Sequence, residues 1–529
     1  MTGVTVLLLA GAAGFALSRR TGLPAIPFLL LSGVAASALI SLPEPFLEDA
    51  LILGVTVMVF VAGIELNPGR FRLQRKAALA VGLAQFLVLG AVGFGLGLLM
   101  GYSEETAAYL ALALSASSTL VVVRVLQVKR QLFEPFGRLV TGVLLLQDLL
   151  IILLIPVVTR LHHGAEALVS GVLASLALVA LAAVVLRWVA PFAVQRLAGD
   201  EETLLLVILT ILFSFLGLAN LFQLPLVSGA FLAGLALSGF PVSSLVRGQL
   251  KTLSDFFNAF FFTALGAVLP LPTAPEVLHA GVLALAVLVV TPPLVAVVAE
   301  RMGFSARPAL SSGLLLSQTS EFSLVVGLQG VILGQLAPGV FTVIALTTLA
   351  TMMLTPFLTT DRVTWALVHR HPFKRGESLE KRPEDHLLLL GCGRNGLTLL
   401  ELLVVTPNEV VVVDDDPVLV QYIRDALVPA LRGDVSDVEV LRAAGADRAR
   451  IVVSTIRRTE DNAPLLAMVR DVPVLVRAFN VEDGEWIRSR GGRPILYSEA
   501  AAQDFEEWYR TVWKSAAEAT EPKEIPGES

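Results

Sequence analysis

The sequence predicts an all-α bundle of membrane-spanning helices, with an inverted repeat and crossed broken helices, followed by a Rossmann-like α/β domain. Hydrophobic residues make up 55% of the 529-residue chain and charged residues only 16%, whereas about a quarter of a soluble domain is charged. Residues 1–360 hold 17 Lys/Arg and 16 Asp/Glu, while residues 361–529 hold 22 and 29. A glycine-rich turn between two short apolar runs follows residue 385. We expect a membrane domain (1–360), a polar linker (361–385), an α/β domain (386–515) and a polar tail (516–529).

Thirteen apolar stretches divide the membrane domain, and several approach the roughly 20 residues that span a bilayer. They cover 3–18, 23–42, 47–65, 77–100, 106–123, 139–158, 166–186, 203–220, 224–240, 253–270, 277–299, 309–333 and 339–359.

Basic residues are confined to one side of this predicted bundle. Loops after odd-numbered stretches hold sixteen of the seventeen Lys/Arg of residues 1–360, and Arg160 alone follows an even-numbered one. Because cytoplasmic loops carry the excess of Lys and Arg, the odd side is cytoplasmic. The N-terminus is therefore expected outside and the charged C-terminal domain inside.

Three stretches carry polar residues near their midpoints. The fifth contains the run 115–119, the sixth contains Gln147 and Asp148, and the twelfth contains the run 317–323. An ionised side chain at the bilayer centre costs about 2.5–3.5 kcal/mol on insertion scales. Asp148 is therefore a candidate functional residue, although a protonated structural carboxyl group is the alternative. The hydroxyl clusters alone would fit helix packing.

The fifth and twelfth stretches are separated by seven positions in the chain order. Since seven is odd, corresponding helices run in opposite directions. Two interrupted helices in that relationship are typical of an inverted repeat, in which the breaks cross at the membrane midplane and line a cavity.

Six motifs together resemble the monovalent cation:proton antiporter superfamily, and within it the Kef-type potassium/proton branch. Their order and spacing over residues 1–360 carry the resemblance more than any one of them. They are Phe60–Leu66, Ser117–Thr119, Leu146–Asp148, Gly229–Gly234, Phe260–Gly266 and Gln318–Phe322.

The resemblance implies that Asp148 binds either a cation or a proton in a bacterial inner-membrane transporter. Amide and hydroxyl oxygens would complete the site. We expect the cation to be K⁺, with Na⁺ as the alternative. Relatives that move net charge often carry a second carboxylate before this aspartate, and the glutamine here favours one-for-one exchange. The expected site residues besides Asp148 are Gln147, Ser117, Ser118, Thr119, Gln318 and Glu321.

Some polar residues of the membrane domain leave alternatives open. Many relatives place a lysine in the eleventh stretch, where this chain has Thr291 followed by two prolines. Glu321 either lines the cavity or stabilises the helix break. Arg124 is favoured as a cytoplasmic anchor over a partner for Asp148. Glu65 is expected at the interface, and the pair His162-His163 is expected to be fortuitous rather than a metal site.

The α/β domain opens with a dinucleotide-type fingerprint. A short apolar run over 386–390 precedes a GxGxxG turn, an apolar helical stretch and a second strand over 410–413 that ends at Asp414. The glycines let the backbone approach phosphate, and the acid accepts hydrogen bonds from ribose. The predicted nucleotide-binding residues of this unit are Gly391, Gly393, Arg394, Asn395, Gly396 and Asp414.

The alternation of strands and helices continues and resembles the N-terminal lobe of the regulator-of-potassium-conductance domain. Gly433-Asp434 matches its glycine-aspartate turn, and Thr455 follows a further strand. The resemblance implies a regulatory nucleotide, namely NAD(H), AMP or ATP/ADP, and a homodimer. Cys392 is expected to be a small residue in a tight loop. A lobe used only for assembly is the alternative.

These observations favour a secondary transporter over an enzyme. We find no catalytic domain beside the nucleotide lobe, and the single cysteine argues against a cysteine-rich metal site. The net charge of −7 beyond residue 360 argues against nucleic acid. The alternative function is a nucleotide-gated potassium channel or an efflux system without obligatory proton coupling. Asp148 at mid-membrane and the lack of a TVGYG-type filter disfavour the channel. A non-transporting membrane-anchored sensor is disfavoured by the interrupted helices.

Overall fold

The computed structural model divides the chain into two compact units. One holds Met1–Met302 and Ala306–His371, and the other holds Gly303–Ser305 and Pro372–Ser529. The structure describes residues 2–40, 42–65, 75–129, 131–132, 134–160, 164–189, 192, 201–238, 244–369, 383–405, 409–496, 499, 502–503 and 505–511.

All thirteen predicted stretches are helical in the first unit. The fifth and the twelfth each consist of two shorter helices. The helices are α1 Thr2–Thr21, α2 Ala25–Leu39, α3 Glu44–Glu65, α4 Arg75–Leu99, α5 Glu104–Leu114, α6 Thr119–Val128, α7 Pro135–Val158, α8 Gly164–Val184, α9 Glu201–Leu221, α10 Leu226–Leu237, α11 Ser244–Val268, α12 Ala274–Arg301, α13 Ala306–Leu315, α14 Glu321–Ile332, α15 Pro338–Leu358 and α16 Asp361–His369.

Within the described residues, nine helical segments are long and apolar enough to cross a membrane, counting the fifth span as one. Shorter apolar helices, such as Ala25–Leu39 and Leu226–Leu237, complete the set. The first helix is mostly exposed along its length, whereas the span over Glu104–Val128 is two-thirds buried. The polar breaks therefore lie in the interior of the bundle, where irregular backbone can find partners.

Two glycine pairs let helices of the first unit cross at backbone contact. Helix α2 crosses α11 at Gly33 and Gly266, and α3 crosses α10 at Gly63 and Gly234. A Cβ atom at any of these glycines would overlap a carbonyl oxygen of the opposite helix. Such close approach of small residues is a common basis of helix association in membranes.

The two crossings are related by the internal repeat. If α2 is matched to α10, and α3 to α11, each crossing becomes the other. The neighbouring contacts follow the same rule, because α4 packs on α5 and α7 as α12 packs on α13 and α15. The packing of the described helices thus confirms the repeat that the spacing of the breaks predicted.

The predicted polar linker over 361–385 begins with a helix. Helix α16 has Asp361 in its first turn and buries Thr364 and Val368. Lys129 donates a hydrogen bond to the Thr359 carbonyl oxygen and lies 3.8 Å from the Asp361 carboxylate. Acidic residues in a first turn stabilise helices, a signal that the polar composition of this segment obscured.

The second unit is a parallel six-stranded sheet with order β3-β2-β1-β4-β5-β6. The predicted strands are confirmed, while the predicted helix near 499–514 is described only in part. The elements are β1 Leu387–Leu390, α17 Arg394–Leu403, β2 Val410–Asp414, α18 Pro417–Asp425, β3 Ala430–Arg432, α19 Val438–Ala443, β4 Ile451–Ser454, α20 Ala463–Met468, β5 Val474–Ala478, α21 Val481–Arg488 and β6 Arg493–Leu496.

The central strands are buried on both faces. All residues of β1 and β2 are buried, as expected of parallel strands covered by crossover helices. One face packs Leu388 and Val411 against a large cluster, and the other packs Leu389 and Val412 against α17 and α18. The strand order reverses between β1 and β4, which makes the carboxyl edge there the expected ligand crevice.

Candidate functional site

Both broken helices resume from a serine cap. The first break covers 115–118, and the Ser118 hydroxyl accepts a hydrogen bond from the Val121 amide at 3.3 Å. The second covers 316–320, and the Ser320 hydroxyl accepts from the Phe322 amide at 3.1 Å. Serine is a preferred N-cap because its oxygen satisfies an orphan amide of the first turn. The Ser118 hydroxyl therefore caps the N-terminus of α6.

The two breaks touch each other directly. The Ser117 hydroxyl donates to the Leu316 carbonyl oxygen at 2.7 Å. The Ser323 hydroxyl donates to the Ala113 carbonyl oxygen. Backbone groups freed by each interruption are thus satisfied partly by side chains of the other half.

Asp148 lies beside the first break and is 3% exposed. Its Oδ2 accepts a hydrogen bond from the Thr119 hydroxyl at 2.9 Å. Its Oδ1 has no hydrogen-bond partner among the described residues. Glu321, the first residue of α14, is also buried and near enough to interact electrostatically with Asp148.

Gln147 fixes the neighbouring backbone. Its Oε1 accepts a hydrogen bond from the Ser117 amide at 3.1 Å, while its Nε2 is buried without a partner in the described part of the chain. The four predicted residues Ser117, Thr119, Gln147 and Asp148 are therefore joined by hydrogen bonds between the first break and α7.

The second half repeats this arrangement with threonines. The Thr319 amide donates to the Thr351 hydroxyl at 3.2 Å, as the Ser117 amide does to Gln147. The Thr319 hydroxyl donates to the Thr348 hydroxyl at 3.0 Å. Helix α15 thus takes the place of α7, with hydroxyl groups where the first half has an amide and a carboxylate.

Thr348, Thr351 and Gln85 are site residues that the sequence did not predict. The first two resemble ordinary packing residues of a membrane helix. Gln85 is the one polar residue of the fourth apolar stretch, 77–100, and its Nε2 donates to the Ser117 hydroxyl at 2.9 Å and to the Leu316 carbonyl oxygen at 3.2 Å. An isolated glutamine in an otherwise apolar span was the available signal.

Of the other polar candidates in the membrane domain, Gln318 and Thr291 are buried and Arg124 is exposed. Gln318 is fully buried, and its Nε2 donates to the Leu315 carbonyl oxygen at 3.3 Å. Thr291 is buried inside α12, directly before Pro292 and Pro293. Arg124 is exposed on α6, four residues before the end of the fifth span. The Glu65 side chain and the pair His162-His163 lie outside the described residues.

The predicted nucleotide residues gather at one edge of the sheet. Gly391 follows β1, Asp414 ends β2, Asp434 follows β3, and Thr455 follows β4. Gly391 has φ +79°, which favours glycine. The Thr455 hydroxyl donates to the Gly391 carbonyl oxygen at 2.7 Å. The carboxyl ends of four adjacent parallel strands therefore converge, as in nucleotide-binding crevices.

The Asp414 carboxylate is hydrogen-bonded to the backbone of the glycine loop. Its Oδ2 accepts from the Cys392 amide at 2.5 Å and its Oδ1 accepts from the Asp416 amide at 2.8 Å. Burial raises the pKa of Asp414, although the amide hydrogen bonds act in the opposite direction. A carboxylate has about four acceptor positions, and the Asp415 amide also donates to this one, so one position remains for a ligand. Asp434 holds its own turn by accepting from Ser436.

The start of α17 fits a phosphate group. Gly393 is the N-cap residue and supplies no side-chain cap, so the first amides of the helix, at Arg394, Asn395 and Gly396, have no capping side chain. A Cβ atom at Gly393 would meet nothing within 4 Å. Open space in front of uncapped helix amides is the usual setting for an anion.

Comparison with known proteins agrees with both halves of this description. Residues 4–360 match the family described as "Sodium/hydrogen exchanger, transmembrane", and residues 387–494 match the TrkA-N domain. The glutathione-regulated potassium-efflux system protein KefC of Shigella flexneri serotype 5b is 26% identical over 495 residues, covering 89% of this chain and 78% of KefC.

A second relative and one solved structure are similar to parts of the chain. The putative cation/proton antiporter YbaL of Escherichia coli K12 is 26% identical over 482 residues, covering 84% of this chain and 85% of YbaL. The crystal structure of the YbaL TrkA-N domain from Escherichia coli is 24% identical, with a TM-score of 0.23, and covers 24% of this chain and 97% of that domain.

The match over residues 4–360 includes the crossed breaks, and the match over 387–494 includes the whole glycine-rich edge. Together with the homology to KefC and YbaL over most of the chain, these findings identify the protein as a Kef-type member of the sodium/hydrogen exchanger family, a cation/proton antiporter with a TrkA-N domain.

Proposed function

We propose that this antiporter exchanges K⁺, or in second place Na⁺, for protons at Asp148. One observation carries the proposal: a buried carboxylate stands at the crossing of two broken helices, with one oxygen bound to Thr119 and the other without a partner among the described residues. An ionisable residue at this depth is expected to serve an ion pathway.

A single carboxylate can hold either ligand but not both. A cation gains carboxylate and neutral oxygen ligands when it leaves water, and a proton on Asp148 removes the charge that attracts it. Exchange follows if the site faces the two sides of the membrane in turn. The inverted repeat supports this, because opposed halves are the usual basis of alternating access.

The proposed stoichiometry is one cation for one proton. Gln147 occupies the position of a second carboxylate, and its amide oxygen is already bound to the Ser117 amide. Glu321 begins α14, where the positive end of the helix favours a carboxylate. In this proposal Glu321 keeps one protonation state throughout the cycle, and only Asp148 titrates.

The TrkA-N domain is proposed to regulate transport by binding a nucleotide. Uncapped amides at the start of α17 would hold phosphate, and the remaining acceptor position on Asp414 would hold ribose. NAD(H), AMP and ATP or ADP all carry both groups. We propose no covalent chemistry for either domain. The protein would act in a bacterial inner membrane as a homodimer, with its N-terminus outside.

Flux measurements in proteoliposomes test the proposal. A pH gradient is imposed, and Li⁺, Na⁺, K⁺ and Rb⁺ are added one at a time, with and without each nucleotide. We expect K⁺ to dissipate the gradient at the lowest concentration. Cation movement with no linked proton movement would show a channel and would overturn the exchange mechanism.

A further inference from the structure

Gln85 has an amide group whose orientation is fixed by its partners. The Leu316 carbonyl oxygen can only accept, so the atom of Gln85 that faces it at 3.2 Å must be the nitrogen. The Ser117 hydroxyl gives its own proton to the same carbonyl and therefore accepts from Gln85 at 2.9 Å. Both amide protons are thus committed to the two helix breaks.

The amide oxygen of Gln85 must then face away from these two partners. The side chain is 0% exposed, and Oε1 has no hydrogen-bond partner among the described residues. A buried amide oxygen without a partner is unfavourable unless it has a ligand. Neutral carbonyl oxygens are the ligands that potassium pathways use in place of water.

Gln85 is also linked to the exchange site through one residue. Ser117 accepts from Gln85 with its hydroxyl oxygen and donates its backbone amide to Gln147. Thr119, the first residue of α6, donates a hydrogen bond to Asp148. The Gln85 amide is therefore bound to the same helix break that binds Gln147 and Asp148.

We propose that Gln85 is a ligand of the transported cation and contributes to its selectivity. This inference rests on the proposed exchange function. Asp148 supplies the charge, and the Gln85 oxygen supplies a neutral ligand of fixed position. Because that position is set by both breaks, the distance from the oxygen to the cation would discriminate between cations of different radius.

A second glutamine offers a matched control. Gln335 also bridges separate elements, because its Oε1 accepts from the Tyr109 hydroxyl at 2.5 Å and its Nε2 donates to the Thr159 carbonyl oxygen at 2.9 Å. Its oxygen is therefore satisfied within the protein. Replacing each glutamine by methionine removes a bridge in both cases but removes a free oxygen only from Gln85.

The test is the KM of each alkali cation for proton-coupled flux, measured with the full-length protein in proteoliposomes. Gln85→Met should raise the KM of the preferred cation about tenfold or more and change the KM ratio between K⁺ and Na⁺. Gln335→Met should leave that ratio unchanged. A slower Gln85→Met with an unchanged ratio would show a purely structural bridge and overturn the proposal.

Two further measurements cover other outcomes. If Gln85→Met does not fold, Gln85→Asn withdraws the oxygen by one methylene group and must change the same ratio. If the unaltered protein shows no cation-coupled proton flux, the exchange function itself fails, and the ligand role fails with it. Flux in the unaltered protein with an unchanged ratio in Gln85→Asn refutes only the role of Gln85.

Discussion

The Thr119 hydroxyl donates a 2.9 Å hydrogen bond to Oδ2 of Asp148, so the residue that resumes the fifth span also positions the carboxylate of the sixth. This contact ties the helix break to the charged group. Asp148→Asn keeps the volume of the side chain and can still accept from Thr119, but it cannot titrate.

We therefore expect Asp148→Asn to fold normally and to lose cation-driven proton flux. Fluorescence of a pH dye in proteoliposomes measures the flux, and thermal unfolding in detergent checks the fold. Thr119→Val is the comparison, because it removes the hydroxyl but keeps the carboxylate. It should reduce exchange without abolishing it. Flux close to normal in Asp148→Asn would refute the assignment.

Exchange is expected to be electroneutral. With Asp148 as the single titrating group, one proton leaves for each cation that binds. Flux measured at several clamped membrane potentials should not change, and the reversal condition should give a ratio of one. Glu321→Gln should keep the same ratio. A ratio above one that returns to one in Glu321→Gln would instead identify Glu321 as a second titrating carboxyl group.

The glycine crossings predict where an added methyl group is harmful. Gly63→Ala places a Cβ atom against the Phe231 carbonyl oxygen, and overpacking of this kind typically costs about 1–3 kcal/mol. Gly217→Ala is the control, because a Cβ there meets nothing within 4 Å. Thermal unfolding in detergent should show a lower Tm for the first variant only. Equal Tm values would contradict the crossing.

At the glycine-rich edge of the sheet, some substitutions should impair nucleotide binding and others should impair folding of the domain. Gly393→Val enters open space and should fold but bind nucleotide poorly, whereas Gly396→Ala would collide with the Gly391 carbonyl oxygen and destabilise the domain. Asp414→Ala should weaken binding by about 1.5–3 kcal/mol, roughly 10- to 150-fold.

Calorimetry on the full-length protein with NADH, NAD, AMP and ATP measures this binding. Both Gly393→Val and Asp414→Ala should still exchange ions. Their flux should no longer respond to the nucleotide that affects the unaltered protein. If no nucleotide binds the unaltered protein even at millimolar concentration, the domain serves assembly and the regulatory proposal is wrong.

Cys392 is expected to resist alkylation in the folded protein. Burial, and then the nearby charge of Asp414, raise the pKa of its thiol to about 12, and the thiolate is the reactive form. Since this is the one cysteine of the sequence, mass spectrometry after treatment with N-ethylmaleimide measures the fraction of Cys392 that is alkylated. Labelling should be slow in the native protein and complete after denaturation. Rapid native labelling would show that the glycine loop opens.

The features that could be predicted from the sequence are mostly polar residues that are energetically unfavourable in an apolar span unless they have a specific role. A carboxylate in an apolar span, or four hydroxyl residues within five positions at mid-membrane, has few explanations apart from a site or a break, so Asp148 and the run 115–119 could be identified from composition alone. The strand, glycine turn and strand around Gly391 likewise form one local unit.

Residues whose role depends on distant partners could not be found in this way. Gln85 is important because it meets Ser117 and Leu316, which lie 32 and 231 positions away. Thr351 hydrogen-bonds to its own helix, as membrane threonines commonly do, and its contact with the Thr319 amide follows from packing. The register of two crossing helices is a property of the bundle and leaves no local pattern.

The two prolines after Thr291 have a mechanical consequence. Proline has no amide proton, so the carbonyl oxygens of Leu288 and Val289 have no helical donor, and α12 lacks two successive rungs of its ladder. At this level Gly313 packs so closely on Pro292 that a Cβ would lie 2.6 Å from its carbonyl oxygen. Helix α12 is therefore easier to bend at Pro292 and Pro293 than elsewhere along its length. A bend there would displace Gly313 of α13, three residues before the second break.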